Sequence, residues 1–304
     1  MELGAAGRPL SAVAAELVSH TITVTGSTGT IGAELVALLS ARSVSVRAIH
    51  RRSGTRPLPH VTWVALDLND AARVASVIEG TTALFLLTGN DPGFAQTQIA
   101  VVRAAERAGV AHIVKLSALG ASDHSRSAIG RDHWRVEQAL LGTRGSWTIL
   151  RPHAFMQNWL GEVAATVRTE STIYAPIGDG RVPFIDTRDI AAFAAEVLPH
   201  PEAHAGKNYV LTGGTAVGYA DVAAALSQAT GRTIVYRPIT LDEARRRLAA
   251  RGTPAALIDA QLAIASYQRD GGPTAKVSGD IAGLLGRPPR TIQDFARDYA
   301  SSFL

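Results

Sequence analysis

The sequence predicts an α/β protein with a doubly wound parallel sheet and a small, mainly helical part near the carboxyl terminus. From residue 21 onward, short runs of β-branched residues alternate with alanine-rich stretches of helical period, which is typical of βαβ units. A glycine-rich turn follows the first run, and the alternation loosens after Arg151. These observations place the sheet in the first half of the chain.

The strands are predicted where β-branched and aromatic residues cluster between turn residues. They are Thr21–Thr25, Val44–His50, Thr62–Ala65, Ala83–Leu87, His112–Leu116 and Trp147–Leu150. The helices predicted between them are Ile31–Ser40, Ala71–Glu79, Phe94–Ala108 and Arg131–Leu141, the last beginning after Gly130. In a doubly wound sheet, ligands bind beyond the carboxyl ends of the strands.

The rest of the chain is predicted from helical periodicity and turns. Helices are expected over Leu241–Gly252, Pro254–Arg269 and Thr291–Phe303, joined by Gly/Pro turns. We expect a core over residues 21–152 and a ligand-covering part over residues 153–304 that is interwoven with the sheet. A lid is expected at about 240–304, and residues 1–20 form an amino-terminal extension with a short helix over Ser11–Val18.

Composition excludes several classes of protein. The 304 residues are 46% hydrophobic, with 30 Lys+Arg, 26 Asp+Glu and a net charge of +4, which argues against a disordered polyelectrolyte and a nucleic-acid partner. The absence of cysteine excludes disulfides, thiolate nucleophiles and cysteine-ligated metals. No apolar run approaches the ~20 residues of a membrane helix, and the first residues lack a secretory signal pattern. We therefore expect a cytoplasmic protein without a membrane partner.

The turn after the first strand has the pattern of a phosphate-binding loop. Residues 25–32 read Thr-Gly-Ser-Thr-Gly-Thr-Ile-Gly, between a strand and an amphipathic helix. Gly26 permits a tight turn, Gly29 lets backbone N–H groups approach a pyrophosphate, and Gly32 lets the helix pack against the strand. A purely structural turn is the alternative. The residues expected at the dinucleotide are Gly26, Thr28, Gly29, Thr30 and Ile31.

The end of the second strand indicates which dinucleotide binds. An acidic residue about 20 residues beyond the glycines would hold the 2′-hydroxyl of NAD, whereas arginine accommodates the 2′-phosphate of NADP. This chain has Arg51 and Arg52 there and no carboxylate. We therefore expect NADPH/NADP⁺, bound by Arg51 with help from Arg52 or Ser53. The alternative is a solvated surface pair.

The third and fourth strands end in further candidate contacts. Asp67 and Leu68 are placed to meet the adenine edge, and backbone at Thr88 and Gly89 is expected to pass the cofactor. An Asp67 that only caps the following helix is the alternative.

Motifs in a fixed order cover almost everything after residue 20. They include Thr-Gly-Ser-Thr-Gly-Thr-Ile-Gly at 25–32, Val-Arg-Ala-Ile-His-Arg at 46–51, His-Ile-Val-Lys-Leu-Ser-Ala-Leu-Gly-Ala at 112–121, His-Trp-Arg-Val-Glu-Gln-Ala-Leu at 133–140, Thr-Ile-Leu-Arg-Pro-His-Ala-Phe-Met-Gln-Asn at 148–158 and Pro-Phe-Ile-Asp-Thr-Arg-Asp-Ile-Ala at 183–191. In these motifs the chain resembles the NmrA-like branch of the atypical short-chain dehydrogenase/reductases, particularly the quinone oxidoreductase and triphenylmethane-dye reductase group. The resemblance implies a Rossmann-type domain with a small C-terminal substrate subdomain.

The chain lacks the proton-donating pair of most short-chain reductases. In those enzymes a lysine four residues after a tyrosine lowers the tyrosine pKa, beside a serine after the fifth strand. No tyrosine precedes Tyr174, and none of the six has a lysine four residues later. The serine is present as Ser117, where we expect a hydrogen bond to a substrate oxygen or the cofactor. Lys115 is expected to contact the cofactor or to be structural.

Two histidines are candidates for the missing acid. His133 lies near the start of the helix after Ser117, and His153 follows the sixth strand. The alternatives are that His133 orders a loop and that His153 lines the pocket. A third possibility needs no protein acid, because a conjugated substrate delocalises or internally protonates the charge that hydride transfer creates. Asp132 is expected at the start of the helix.

The remaining candidates concern the pocket and metals. Apolar walls for a flat substrate are expected from Phe155, Met156, Trp159 and Tyr174, with a core role as the alternative. His200 and His204 are separated by a proline, so we expect a loop there and no metal.

The expected function is an NADPH-dependent reductase for a bulky conjugated carbonyl or quinoid compound. Its substrate would be an aromatic or polycyclic small molecule, such as a polyketide ketone of secondary (antibiotic) metabolism, and the protein a monomer or homodimer. The alternative is a non-catalytic NADP(H)-sensing regulatory protein of NmrA type, which the missing Tyr/Lys pair favours. A sugar-nucleotide epimerase is disfavoured because its chemistry needs that pair.

Overall fold

The computed structural model describes residues 21–51 and 57–304. The expected helix Ser11–Val18 and the expected contacts of Arg52 and Ser53 lie outside these ranges. The strands of the main sheet are β1 (Thr21–Val24), β2 (Ser45–His50), β3 (Val61–Ala65), β4 (Thr81–Leu86), β5 (His112–Leu116), β6 (Ser146–Pro152) and β8 (Lys207–Leu211). A separate pair is formed by β7 (Thr172–Ala175) and β9 (Val235–Pro238).

Helices connect the strands and continue beyond the last one. Those of the sheet are α1 (Thr30–Ala41), α2 (Ala71–Ile78), α3 (Phe94–Arg107), α4 (Ala128–Leu141) and α6 (Thr187–Val197). The others are α5 (Glu162–Glu170), α7 (Pro201–His204), α8 (Tyr219–Thr230), α9 (Leu241–Ala250), α10 (Ala255–Asp270), α11 (Asp280–Leu285) and α12 (Ile292–Asp298). Short 3₁₀ turns cover Met156–Leu160, Gly272–Ala275 and Ala300–Phe303.

The main sheet is parallel, with strand order β3-β2-β1-β4-β5-β6-β8. The predicted doubly wound α/β class is thereby confirmed. Strand β1 pairs with β2 on one side and β4 on the other, so the strand order reverses at β1. A crevice opens beyond the carboxyl ends of the strands at such a reversal. The seventh strand, β8, was not predicted, and it comes from the second half of the chain.

Apolar layers cover both faces of the sheet. On one face, α1 and α6 pack side by side, and the Arg42 guanidinium donates to Ala195 O (2.8 Å) and pairs with Glu196. On the other face, α2, α3 and α4 bury residues such as Val101 and Val136. Because Arg42 joins the carboxyl ends of α1 and α6, these helices run parallel and both begin at the same edge of the sheet.

The helix after β5 begins earlier than predicted. It starts at Ala128, so Asp132 lies inside the helix and pairs with Arg135 (3.2 Å) instead of starting it. Gly130 suggested a break, but a Cβ on Gly130 would lie 2.6 Å from Gly120 O. The glycine therefore permits the preceding loop to pack against the helix.

The second half forms its own core around Trp159. Its ring meets Phe184 and Phe295 edge-on, with centroid distances of 4.9 and 5.3 Å. The predicted helix Thr291–Phe303 divides into α12 and a 3₁₀ turn. The predicted loop between His200 and His204 is wrong: residues Pro201–His204 form one helical turn, because proline is tolerated in the first turn of a helix.

Among the described residues, no group of three or more His, Cys, Asp or Glu side chains could hold a metal ion. Within the same ranges, no helix has both the length and the apolar character needed to cross a membrane.

Candidate active site

A cleft of about 700 Å³ opens at the carboxyl edge of the sheet, where the strand order reverses. Its floor is the glycine loop after β1. One end lies at the ends of β2 and β3, and the other lies between β6 and the start of α6. The side chains that line it include those of Arg51, Asp67, Asn69, Thr88, Asp91, Phe94, Thr97, Phe155, Gln157, Asn158 and Thr187.

The loop after β1 can be built only with glycine at two positions. Gly26 has a φ of +62°, and a Cβ there would lie 2.8 Å from Leu87 O. A Cβ on Gly32 would lie 2.2 Å from Gly26 O, so α1 could not pack as closely on the loop. The Ser27 hydroxyl donates to Ile49 O (2.6 Å) and fixes the loop to β2.

The amino terminus of α1 is open toward the cleft. Gly29 precedes the helix and supplies no capping side chain, and the first turn contains no acidic residue. A helix of 12 residues with its first N–H groups uncapped attracts an anion through those groups and the helix dipole. The close glycine packing and the open helix end therefore fit a dinucleotide pyrophosphate.

The end of the cleft at β2 and β3 carries exposed charges. The Arg51 side chain is 62% exposed and lies 3.6 Å from the Asp91 carboxylate. Asp67 accepts hydrogen bonds from the backbone N–H and the side-chain amide of Asn69, both at 3.0 Å. The side chain that caps α2 is Asp70, so Asp67 does not serve as the N-cap.

The side chains of Thr88 and Thr97 also line this end, near the buried Leu68. The Asn69 side-chain oxygen accepts a hydrogen bond from the Thr97 hydroxyl (2.7 Å). The Thr88 hydroxyl donates to Gly89 O and accepts from the buried Gln98 amide (2.6 Å). These bonds hold polar groups beside Asp67 and Leu68, the two residues that the sequence predicts at the adenine edge.

The opposite end is formed by two segments distant in sequence. Phe155 pairs with Ile185 in a parallel bridge, and Met156 N donates to Ile185 O (2.9 Å). The Gln157 carboxamide then joins the segments, because its oxygen accepts from Thr187 N (2.9 Å) and its amide donates to Asp186 (2.8 Å).

A buried carboxylate supports this wall from behind. Asp186 caps α6 and pairs with the Arg188 guanidinium (2.7 Å). The hydrogen bonds from Arg188 lower the Asp186 pKa even though burial opposes the shift. Arg188 also reaches Asp298 (2.7 Å), so α12 is tied to the same wall.

Ser117 lies at the end of β5 with its hydroxyl turned to an internal partner. The hydroxyl donates to Glu137 on α4 (2.5 Å), and Glu137 also forms an ion pair with Arg151 on β6. Ser117 is 4% exposed. Sequence reasoning missed this Ser117–Glu137–Arg151 chain, although Glu137 and Arg151 lie within two of the motifs.

Lys115 and His133 form a second buried pair. Lys115 Nζ donates to Leu116 O and lies 3.1 Å from His133 Nδ1. Burial lowers the pKa of Lys115 to about 7, and burial together with nearby Lys115 holds the pKa of His133 well below its ordinary value. The His133 ring packs behind Phe94 (centroids 5.0 Å apart), which itself lines the cleft.

His153 uses both ring nitrogens inside the protein. Nε2 donates to Thr274 O (2.9 Å), and Nδ1 accepts from Ala154 N (2.6 Å). This arrangement requires the neutral ring, and burial lowers its pKa to about 4. Among the described residues, neither His133 nor His153 is part of the cleft lining.

The four expected wall residues lie in different places. Phe155 lines the cleft, whereas Met156 and Trp159 are each 2% exposed and belong to the second core. Tyr174 lies on β7, donates to Glu170 (2.7 Å) and stacks under Arg247 (3.8 Å to the ring centroid). Gln157, Asn158 and Thr187 line the cleft without having been predicted, although each lies within a motif.

Comparisons with known proteins agree with this geometry. The NmrA-like family matches residues 18–278. An NAD(P)H azoreductase from Xenophilus azovorans is 36% identical over 290 residues, which cover 93% of this chain and 99% of that protein. A (4-alkanoyl-5-oxo-2,5-dihydrofuran-3-yl)methyl phosphate reductase from Streptomyces griseus subsp. griseus is 33% identical over 285 residues, 93% of this chain and 99% of that protein.

A solved structure has the same architecture. It is an NADPH-dependent quinone oxidoreductase from Escherichia coli complexed with NADPH, with a TM-score of 0.80 and 25% identity, covering 91% of this chain and 99% of that chain. Because the family match spans most of the sequence and the relatives align nearly end to end, the chain belongs to the NmrA-like family.

Proposed function

We propose that the chain is an NAD(P)H-dependent oxidoreductase that transfers hydride to a bulky conjugated acceptor. The observation that carries this proposal is the open amino terminus of α1 beneath Gly26 and Gly29, at the reversal of strand order. Such a site binds a pyrophosphate and directs the two halves of a dinucleotide to opposite ends of the cleft.

The two cleft ends fit the two halves of NADPH differently. Arg51 at the end of β2 supplies a cation for the 2′-phosphate, and Asp67 with Asn69 faces the adenosine. The opposite end, with Phe155, Gln157 and an exposed Asn158, receives the nicotinamide half. When bound, NADPH supplies the hydride from C4 of its nicotinamide. The protein contributes orientation and proximity, which can lower a barrier by several kcal/mol.

The substrate class follows from the proton balance. His133 and His153 are buried with internal partners, and the Ser117 hydroxyl donates to Glu137. The titratable side chains of the described cleft lining, His50, Arg51, Asp67 and Asp91, all belong to the adenosine end. A conjugated acceptor that spreads the added electron pair and takes its proton from water requires no protein acid.

The relatives' names support such acceptors. An aromatic azo compound, a quinone and a furanone each place the reducible bond in a conjugated system. For this chain we propose a carbonyl or quinoid compound with an aromatic or polycyclic frame, such as a polyketide ketone of secondary metabolism. Phe94 and Phe155 offer apolar contacts to a flat molecule at the cleft.

The test is incubation with NADPH and a panel of naphthoquinones, azo dyes, triphenylmethane dyes and polycyclic aryl ketones. We expect loss of NADPH absorbance with at least one conjugated acceptor and none with a simple aliphatic ketone. Tight NADPH binding without turnover across the panel would instead support the non-catalytic NADP(H) sensor.

Arg51→Ala tests the cofactor assignment independently of turnover. A charge-assisted contact to the 2′-phosphate contributes about 1.5–3 kcal/mol, so the variant should lose roughly 10- to 100-fold in NADPH affinity. NADH affinity should remain unchanged. Equal losses for both cofactors would contradict the 2′-phosphate contact.

A further inference from the structure

The Thr187 hydroxyl is a buried polar group that the fold leaves unsatisfied. Thr187 is 1% exposed and lines the cleft, and its Oγ1 has no hydrogen-bond partner among the described residues. Native proteins satisfy most buried polar atoms, because an unpaired hydroxyl weakens the folded state. A valine would fill the same volume without this penalty, so the hydroxyl calls for a functional explanation.

Local structure removes the usual partner of a helical threonine. A threonine inside a helix bonds the carbonyl four residues earlier. Thr187 is the first residue of α6, and the carbonyl four residues earlier, Pro183 O, accepts from Gly213 N (3.0 Å) instead.

The polar groups around Thr187 already have partners within the protein. Its own N–H donates to the Gln157 oxygen (2.9 Å), and the Gln157 amide donates to Asp186. Asp186 is in turn paired with Arg188. Of the side-chain polar atoms that this wall buries within the described residues, the Thr187 hydroxyl is the one without a partner.

The position of Thr187 along the cleft identifies what would bind it. Arg51 and Asp67 mark the adenosine end, and the glycine loop marks the pyrophosphate. Thr187 lines the cleft with Phe155 and Gln157 at the other end. A dinucleotide that binds with its adenosine and pyrophosphate at these positions places its nicotinamide riboside half at Thr187. The ribose hydroxyls and the ring carboxamide of that half can both donate and accept hydrogen bonds.

We propose that Thr187 is a cofactor-positioning residue whose hydroxyl hydrogen-bonds the nicotinamide riboside half of NADPH. This inference rests on the proposed function, because it requires that the cleft hold NADPH. The bond forms only when the cofactor is bound, so the unpaired hydroxyl weakens the free protein and strengthens the complex.

The test compares Thr187→Val and Thr187→Ser with wild type by fluorescence titration and thermal unfolding. The probes are NADPH and adenosine 2′,5′-bisphosphate, which lacks the nicotinamide riboside half. For Thr187→Val we expect about 2- to 12-fold weaker NADPH binding and unchanged binding of the bisphosphate. Thr187→Ser should retain NADPH affinity within about twofold, since it keeps the hydroxyl.

The melting temperature of the free protein distinguishes this proposal from a purely structural role of the hydroxyl, because the two predict opposite changes. Without ligand, Thr187→Val should melt at the same temperature as wild type or up to about 2 °C higher, because it removes an unsatisfied group. Thr97→Val is the matched control: its hydroxyl bonds Asn69 at the adenosine end, so any loss should affect both probes equally.

Several results would overturn the proposal. A lower melting temperature of free Thr187→Val would mean that the hydroxyl has an internal partner. Equal weakening of both probes would mean general damage to the cleft. Unchanged NADPH affinity, together with a raised KM for a conjugated acceptor from the panel, would assign the hydroxyl to substrate binding. Failure of wild type to bind NADPH would instead refute the proposed function itself, and the inference with it.

Discussion

The two ends of the cleft are built in different ways. At the glycine loop, consecutive residues 26–32 form the surface through their own backbone, and the charged groups beside it, Arg51 and Asp91, are exposed. At the other end, Phe155 and Thr187 come from segments about 30 residues apart, joined through the Gln157 carboxamide. The first end depends on local backbone shape, whereas the second depends on a tertiary hydrogen-bond bridge, so substitutions should separate them.

Gly32→Ala should produce the largest effect on stability and NADPH affinity, because it disrupts the close packing of α1 on the glycine loop. The new Cβ would meet Gly26 O at 2.2 Å, and the resulting shift of α1 should cost about 3 kcal/mol of stability and most NADPH affinity. Denaturant unfolding and NADPH titration measure both losses. Gly109→Ala is the control: its φ is +72° with open space around it, so it should cost about 1 kcal/mol and leave binding intact.

Gln157→Leu should break the tertiary bridge while leaving the glycine loop intact. It removes the acceptor of Thr187 N and one of the donors to Asp186 Oδ1, which keeps its hydrogen bonds from Arg188. The free energy of unfolding should therefore fall by about 1–3 kcal/mol. NADPH should bind more weakly, but adenosine 2′,5′-bisphosphate should bind as in wild type. A matching loss for the bisphosphate would show that the two ends are not independent.

Lys115→Met tests how the buried Lys115–His133 pair behind the cleft affects the pH dependence of stability. The Lys115 pKa falls from 10.5 to about 7 on folding, so between these pH values the unfolded chain binds more protons than the folded chain. Wild-type stability should therefore rise with pH above about 7, by up to ~1.4 kcal/mol per pH unit, relative to the variant. Urea unfolding at several pH values gives the difference, and a constant difference would contradict the lowered pKa.

Asp91→Asn should have the smallest effect. Arg51 and Asp91 form an exposed pair 3.6 Å apart, and such pairs contribute about 0–1 kcal/mol. Removing the competing carboxylate should raise NADPH affinity about twofold at low salt, with little change for NADH. The gain should disappear in the Arg51→Ala background. A gain that survives there would mean that Asp91 repels the phosphate directly.

Local patterns predicted much of the fold because the relevant forces are local. Strands β1 to β6 were located within a few residues, and the helix start at the glycine loop within one. Strand β8 was missed because Lys207 and Asn208 are exposed and leave little apolar signal. The start of α4 was misplaced because Gly130 serves loop packing and does not end a helix.

The site was harder to predict, because residue type does not reveal which groups meet. The motif containing His153 was visible, but the bond from its Nε2 depends on Thr274, more than 100 residues away. Glu137 and Arg151 meet only after α4 packs beside β6. The roles expected for Ser117, His133 and His153 stay predictions.

The packing of α6 on α1, and of β8 beside β6, determines how much of the chain must be synthesised before the sheet can fold. The face of the sheet that α1 covers is also covered by Ile190, Phe193 and Val197 of α6. The edge of β6 away from β5 is paired by residues 207–211. A nascent chain ending near residue 152 would therefore expose an apolar helix face and a free strand edge. We expect the nucleotide-binding half to fold stably only after residue 211 has left the ribosome, so a fragment cut at residue 152 should aggregate.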